Sequence, residues 1–160
     1  AILTDMGGVD LAATPRGVDG CGIPVIGMPL AALALALARM ADPIDLDAAR
    51  AEAAGRIIAA MTAHPNMVAG PGRFDTVTMA AGKGAFVVKA GAEGVYAGIV
   101  PGLGLGVALK IADGTKRAAE VAMAAVLVHL GVLEQMPQTP VLNAAETNVG
   151  EIRMQDGWAG

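Results

Sequence analysis

The residue whose type and setting most favour catalysis is Lys89, which ends the apolar run Ala85-Phe86-Val87-Val88. Desolvation at the end of a buried strand favours the neutral form of an amine, and a neutral amine can act as a general base. The alternative is an ordinary exposed strand-end lysine whose methylene groups cover apolar surface. The alternative is preferred until the spacing around Lys89 is considered.

Nucleophiles are scarce, because the chain contains no serine and cannot hold a complete serine hydrolase. A threonine nucleophile of the N-terminal type would occupy position 1, where Ala1 stands. Cys21 remains, and it would need a histidine nearby as its base. The two histidines have ordinary interpretations, His64 as a helix-end residue and His129 on a half-buried face of a leucine-rich helix.

Cys21 lies between Gly20 and Gly22 and two residues after Asp19. The absence of side chains on both neighbours leaves room for a ligand or a reacting group to approach the thiol. The competing interpretation is a small buried apolar residue, which a free cysteine often is. A lone cysteine excludes an internal disulfide and suits a reducing compartment, so we expect a cytoplasmic protein.

Two further motifs have structural explanations. The segment Gly102-Leu103-Gly104-Leu105-Gly106 lacks dinucleotide-binding spacing and leads into a predicted strand, so we expect a turn. The segment Thr115-Lys116-Arg117 places two cations in the first turn of a predicted helix, where the helix dipole favours anions. We prefer neutralisation by Asp113 to the alternative of an anion-binding corner.

The first half of the chain is predicted to be mainly helical, with a Gly-rich loop over residues 18–24. The Ala/Leu run that ends near residue 41 predicts a buried helix, because it is too long for an ordinary strand. Asp45 or Asp47 is expected to cap the following helix, and residues 66–73 to form a loop. Residues 1–13 are weakly helical, residues 28–41 form the buried helix, and the helix that follows Asp45 or Asp47 should end near residue 64. Residues 75–81 fit a helix or a strand.

The clearest β region begins at residue 85. Three apolar runs are separated by short connections that contain glycine, a pattern typical of consecutive antiparallel strands. A strongly apolar helix follows over residues 115–130, and a short strand is expected in the polar tail. The strands are residues 85–90, 94–100 and 106–112, with 149–154 in the tail. The predicted fold class is α/β (α+β), with an antiparallel sheet and covering helices.

Charge and hydropathy exclude two classes of partner. The formal net charge is -4 and the basic residues are scattered, so no stripe of cations predicts a nucleic-acid surface. The most hydrophobic stretch, residues 23–38, is short for a bilayer span and carries Pro24 and Pro29. We therefore expect neither a nucleic-acid nor a membrane partner.

The Lys-x-Gly spacing at Lys89 changes the balance between its two interpretations. A lysine-x-glycine element on a strand, followed by an antiparallel strand pair and a long helix, resembles the third strand of the penicillin-binding-protein and β-lactamase fold. That element faces a serine-lysine pair across the active site. Ala90 stands where those enzymes usually have a hydroxyl residue, which disfavours an ordinary serine β-lactamase.

Four segments together carry a more specific resemblance: DGCGIP at 19–24, HPNMVAGPGRFDT at 64–76, VVKAGAEGVY at 87–96 and ALKIADGTKRA at 108–118. In this order they resemble the rhizobial-type L-asparaginases, the asparaginase II family, which share the β-lactamase-like fold. The resemblance covers the C-terminal half of that family. It implies one asparaginase-like domain, with a helical part over about 1–81, sheet and C-terminal helix over about 82–136, and a tail over 137–160.

The resemblance implies hydrolysis of L-asparagine to aspartate and ammonia by two serine-lysine pairs, beside a zinc held by two cysteines and a lysine. Lys89 would be the lysine of the second pair, Cys21 a zinc ligand, and Asp19 its polar neighbour. The serines and the other zinc ligands would belong to a missing N-terminal half, and a homodimer is implied. One cysteine cannot make a closed zinc site.

We therefore predict an asparaginase-like amidohydrolase that is present as a fragment without its nucleophile and is inactive alone. A different class of hypothesis is a non-catalytic binding domain of the same fold, with Lys89 and Cys21 as relics. A third is another amidase, either a glutaminase or a β-lactam hydrolase. Residues upstream of Ala1 that carry a serine-x-x-lysine motif would exclude the binding domain.

Overall fold

The computed structural model describes residues 2–158 and has mixed α and β structure. Antiparallel sheets combine with helices, so the predicted α+β class is confirmed. The elements in chain order are α1 (Ile2–Gly7), β1 (Arg16–Val18), β2 (Pro24–Ile26), α2 (Leu30–Ala41), α3 (Ala48–Ala63), α4 (Pro65–Ala69), α5 (Phe74–Ala81), β3 (Val87–Ala90), β4 (Val95–Val100), β5 (Leu105–Lys110), α6 (Lys116–His129), β6 (Pro140–Leu142) and β7 (Asn148–Glu151).

The central sheet contains β3, β4 and β5 in that order, and both pairs of strands are antiparallel. The three predicted strands are thus confirmed, although β3 begins two residues later than the apolar run. A 3-10 turn at Pro101–Leu103 connects β4 to β5, and Gly104 ends it with a left-handed φ of 63°. The glycine-rich segment is therefore a turn, as predicted.

The core lies between the sheet and α6. Phe86, Val88, Tyr96, Met123 and Leu127 are almost completely buried within it. The predicted helix over 115–130 is confirmed as α6, which begins after Thr115 and is followed by Gly131 with a left-handed φ of 71°. Helix α6 contacts the sheet mainly through β4 and β5, whereas β3, the strand of Lys89, contacts α5 and α3.

Helix α2 packs directly on β5, because Gly106 has no side chain to separate them. A Cβ at Gly106 would overlap the carbonyl oxygen of Ala34 and the amide nitrogen of Ala38. The helix itself is confirmed, but the prediction that it is buried is only half right. Ala32 and Ala36 are buried, whereas Leu35 is 41% exposed, since the described neighbours cover only part of the helix surface.

The loops of the first half contain more regular structure than predicted. Strands β1 and β2 form an antiparallel hairpin, and they meet the expected Gly-rich loop at its two ends. The amide of Asp19 donates to the Ile23 carbonyl (2.9 Å) and closes the hairpin. Helix α4 occupies the first half of the expected loop over 66–73, because Pro65 is well placed at the first helical position. The undecided segment 75–81 is helical, and α1 ends at Gly7, well before residue 13.

Two smaller expectations concern a helix start and the tail. Asp47 caps α3 by accepting a hydrogen bond from the Arg50 amide (2.9 Å), so one of the two predicted caps is used. The tail strand is β7, and it pairs with a second strand, β6, that was not predicted. Among residues 2–158, no helix has both the length and the hydrophobicity that crossing a bilayer requires.

Candidate functional site

Lys89 lies on β3, at the edge of the central sheet, with an exposed side chain. Its Nζ donates a hydrogen bond to the carbonyl oxygen of Ala90 (2.6 Å), so the amine folds over the end of its own strand. Within the described chain this lysine has the exposure of an ordinary strand-end residue. The desolvation that would favour a neutral amine is therefore not supplied by residues 2–158 alone.

A buried carboxylate lies directly beside this strand end. Asp75, in the first turn of α5, is only 3% exposed. Its Oδ2 accepts a hydrogen bond from the backbone amide of Ala90 (3.1 Å), and its Oδ1 accepts one from the phenol hydroxyl of Tyr96. A buried carboxylate is tolerated when such hydrogen bonds replace its water shell. Asp75 thus joins α5 to both β3 and β4.

The strand geometry explains why the Ala90 amide is available to Asp75. The amide of Gly91 donates to the Val95 carbonyl (2.7 Å) on β4, so the amide of Ala90 must point to the opposite, outer side of β3. An outer edge of a sheet leaves such groups unpaired unless another element covers them. Here α5 covers the edge, and Asp75 satisfies the Ala90 amide.

Aromatic packing fixes the second partner of Asp75. Tyr96 is 1% exposed and pairs with Ala90 across the sheet. Its ring meets Phe74 edge to face, with centroids 5.8 Å apart and planes at 77°. Such pairs prefer this arrangement because the ring edge and face carry opposite partial charges. Phe74 and Asp75, adjacent at the start of α5, therefore both hold Tyr96.

The candidate metal ligand, Cys21, lies at the tip of the β1–β2 hairpin and is exposed. Its Sγ is 4.0 Å from Oδ2 of Asp19, and Oδ1 of Asp19 accepts a hydrogen bond from the Gly20 amide (2.7 Å). The structure thus brings the two predicted zinc-site residues together. It contradicts the interpretation of Cys21 as a buried apolar residue.

A closed zinc site does not fit this chain alone. Structural zinc takes four ligands, and Cys21 and Asp19 offer two. Across residues 2–158, no group of three or more His, Cys, Asp and Glu side chains is arranged to hold a metal. In that same range, neither a hydrogen bond nor an ion pair joins the Cys21 hairpin to Lys89.

His64 has the structural role expected of it, whereas His129 is more exposed than expected. His64 is the boundary residue between α3 and α4, and its backbone amide donates to the Ala60 carbonyl (3.0 Å). His129 is the last residue of α6 and is exposed rather than half-buried. Its ring packs against Trp158, with centroids 5.8 Å apart. Neither histidine forms a hydrogen bond with Cys21 within the described chain.

The two cations at the start of α6 are balanced by neighbouring carboxylates. Asp113 Oδ1 accepts hydrogen bonds from the Thr115 amide (2.9 Å) and the Thr115 hydroxyl (2.8 Å). Chiefly because of the amide hydrogen bond, and secondarily because of the hydroxyl and the charge of Arg117, the pKa of Asp113 lies below its ordinary value. Lys116 pairs with Glu120 at 3.2 Å. This arrangement supports neutralisation over an anion-binding corner.

Asp75 and Tyr96 carry no sequence signature of a functional site, although both lie beside the lysine strand in space. Tyr96 ends the VVKAGAEGVY segment and is the only tyrosine of the chain. Asp75 lies in a stretch that fitted either a helix or a strand. An acidic residue followed by apolar residues at helical spacing is the one local signal of a buried carboxylate there.

The comparisons with known proteins bear on the whole chain. The family described as L-asparaginase II matches residues 1–154. A comparison with individually curated proteins gives no significant match. The match includes the first hairpin, the lysine strand, α6 and the tail hairpin. The chain belongs to the L-asparaginase II family.

Proposed function

We propose that this chain is the lysine-bearing half of an enzyme that hydrolyses L-asparagine to aspartate and ammonia. Family membership supports an L-asparaginase-type amidohydrolase. The observation that carries the proposal is the setting of Lys89: its amine lies at the end of an edge strand whose backbone is held by the buried Asp75. Lys89 is the lysine of the KAGAEG motif, and a buried carboxylate holds the backbone next to it.

In the proposed reaction, a serine hydroxyl supplied by another segment attacks the side-chain amide carbon of asparagine. The neutral amine of Lys89 accepts the hydroxyl proton and returns a proton to the leaving ammonia. Water then attacks the resulting ester, which releases aspartate and restores the serine. The net reaction consumes one asparagine and one water and yields one aspartate and one ammonia.

The serine-bearing segment is proposed to cover surface that this chain exposes. In the β1–β2 hairpin, Val18 is 76% exposed, Ile23 63% and Val25 47%. Apolar side chains grouped in this way are characteristic of an interaction surface. Contact with a further segment there would also remove water from the residues around the hairpin. We propose the β-lactamase-like arrangement and the homodimer of the family for the assembled enzyme.

Zinc is proposed to bind at the hairpin tip, with Cys21 as one ligand, Asp19 as its polar neighbour, and the remaining ligands supplied by the serine-bearing segment. We expect residues 1–160 alone to lose zinc to a chelator of micromolar affinity, because Cys21, even with Asp19 beside it, does not close a four-ligand site. A polypeptide that contains residues 1–160 together with the proposed serine-bearing segment, called the serine-bearing polypeptide below, should retain one zinc per chain. Cys21→Ala should abolish that retention. Metal analysis after gel filtration measures it. Full retention in Cys21→Ala would remove Cys21 from the site.

The proposed activity is tested by ammonia release from L-asparagine, with L-glutamine as the comparison substrate. Residues 1–160 should release no ammonia, because they contain no serine. A polypeptide that also contains the serine-x-x-lysine segment should turn over asparagine faster than glutamine. Turnover by residues 1–160 alone would show that the serine-lysine mechanism is wrong. Preference for glutamine would reassign the substrate.

A further inference from the structure

We propose that Asp75 and Tyr96 are positioning residues that set the direction of the Lys89 amine. This inference rests on the proposed function for its consequence in turnover. Its structural part concerns the described chain alone, and it can be measured there. Neither residue is assigned to reacting atoms in this proposal.

Asp75 holds the backbone directly after Lys89. The amide of Ala90 belongs to the peptide group that follows Lys89, so the hydrogen bond from this amide to Asp75 fixes the ψ angle of Lys89. The amine of Lys89 in turn donates to the carbonyl of Ala90 (2.6 Å). Asp75 therefore holds the peptide group that directly precedes the one whose carbonyl accepts the lysine amine.

The side chain of Asp75 makes no helix-capping hydrogen bond, and its two acceptor oxygens face the sheet, one toward Ala90 on β3 and one toward Tyr96 on β4. A surface carboxylate in the first turn of a helix would have stabilised α5 through the dipole alone. Burial at 3% exposure with both oxygens directed at the lysine strand and its neighbour indicates a role in fixing that strand.

Tyr96 is fixed by its packing. Its hydroxyl is the only group besides the Ala90 amide that donates to the Asp75 side chain within residues 2–158. The ring is 1% exposed and packs edge to face on Phe74, so it cannot follow a displaced carboxylate. Removing the Tyr96 hydroxyl should therefore free Oδ1 of Asp75. The displaced carboxylate should then weaken the hydrogen bond from the Ala90 amide to Oδ2.

The structural arm of the test is NMR spectroscopy of residues 1–160. Asp75→Asn and Tyr96→Phe should shift the Ala90 amide resonance and the ¹³C resonance of the Lys89 methylene next to its amine. The matched control is Thr78→Val, which changes a buried residue one turn further along the same helix and should shift neither. Tyr96→Phe removes only one hydroxyl, so it provides the same measurement if the Asp75→Asn variant does not fold. An unchanged Lys89 resonance beside a shifted Ala90 amide would overturn the proposal.

The kinetic arm uses the serine-bearing polypeptide. Tyr96→Phe and Asp75→Asn should lower kcat about tenfold to a hundredfold, as expected for a displaced catalytic group, while KM changes less than about threefold. Thr78→Val should leave both constants unchanged. If Lys89→Ala abolishes turnover but Asp75→Asn leaves kcat unchanged, this inference fails and the proposed function stands. If Lys89→Ala itself leaves turnover unchanged, the proposed function fails, and the NMR result alone decides the structural part.

Discussion

Asp75 and Thr78 lie one turn apart on the same face of α5, and both are buried, but only one has hydrogen-bond partners. Asp75 receives hydrogen bonds from β3 and β4, whereas the Oγ1 of Thr78 has none within the described residues. Thr76, between them, donates its hydroxyl to the carbonyls of Gly70 (2.6 Å) and Pro65 (3.2 Å). Three polar residues in one helix therefore make different contributions to stability.

Replacing Thr78 by valine should raise the free energy of unfolding by about 1 kcal/mol, because the change removes an unsatisfied buried hydroxyl and preserves the side-chain shape. Thr76→Val is the matched control, and it should lower the same quantity by about 1 kcal/mol, because it leaves two carbonyls without their donor. Urea unfolding of residues 1–160 measures both. A destabilised Thr78→Val variant would mean that this hydroxyl has a partner in the folded protein.

At the residue scale, the sequence showed the candidates that carry a local signature. Lys89 stands out beside an apolar run and a glycine, and Cys21 between two glycines. Asp75 could not be recognised in the same way, because its partners lie 15 and 21 residues further along the chain. Only the packing of α5 on the edge of β3 brings the three together. Contacts of that kind depend on tertiary structure rather than on local spacing.

Helix α6 begins with two cations, and Asp113 offsets them at its N-terminal end. Because the pKa of Asp113 lies below its ordinary value of 3.8, folding favours the charged carboxylate. The resulting stability is present above pH 3.8 and is lost as the pH falls through the lower, folded-state pKa.

Asp113→Asn should therefore lower the melting temperature of residues 1–160 at neutral pH, and its difference from wild type should shrink as the pH falls below 3.8. Glu134→Gln, which changes an exposed carboxylate after the end of α6, is the control and should leave the neutral-pH melting temperature unchanged. Thermal unfolding followed by circular dichroism, at neutral pH and at a pH below 3.8, measures the effect. A constant difference at both pH values would rule out charge as its cause.

The contact between α2 and β5 depends on one glycine. Gly106→Ala should lower the free energy of unfolding by at least about 2 kcal/mol, because the new methyl group would force the helix backbone away from the strand. Gly102→Ala, in the preceding turn, meets no atom within 4 Å and should change stability by less than about 0.5 kcal/mol. Equal stability of the two variants in urea unfolding would show that α2 does not rest on Gly106.

At the element scale, the long periodic segments were predictable and the short ones were not. The three strands and α6 follow from continuous apolar runs between glycine-containing turns, and they form as expected. Strands β1 and β6 have three residues each and are exposed, so no hydrophobic pattern marks them. Helix α4 has five residues and begins with a proline that also fits a loop. Short elements are decided by turn hydrogen bonds and neighbours rather than by periodicity.

Over the whole molecule, the fully buried core is concentrated in the second half of the chain. The buried cluster runs from Met79 in α5 to Leu133 after α6, whereas α2 and α3 add only partly buried side chains to it. Apolar residues remain exposed on the first hairpin, and Leu142 and Val149 on the tail hairpin are 54% and 61% exposed. The lysine strand therefore contributes to the buried core, and the candidate zinc ligand lies on an exposed hairpin that a further segment is proposed to cover.

If Lys89 supplies the general base for amide hydrolysis, as we propose, kcat/KM for ammonia release from L-asparagine must depend on its amine. The assay compares the serine-bearing polypeptide with its Lys89→Ala and Lys116→Ala variants, since Lys116 is an exposed lysine of α6. We predict a loss of about a hundredfold or more for Lys89→Ala, as expected when a general base is removed, and no change for Lys116→Ala. Wild-type kcat/KM in the Lys89→Ala variant would contradict the account.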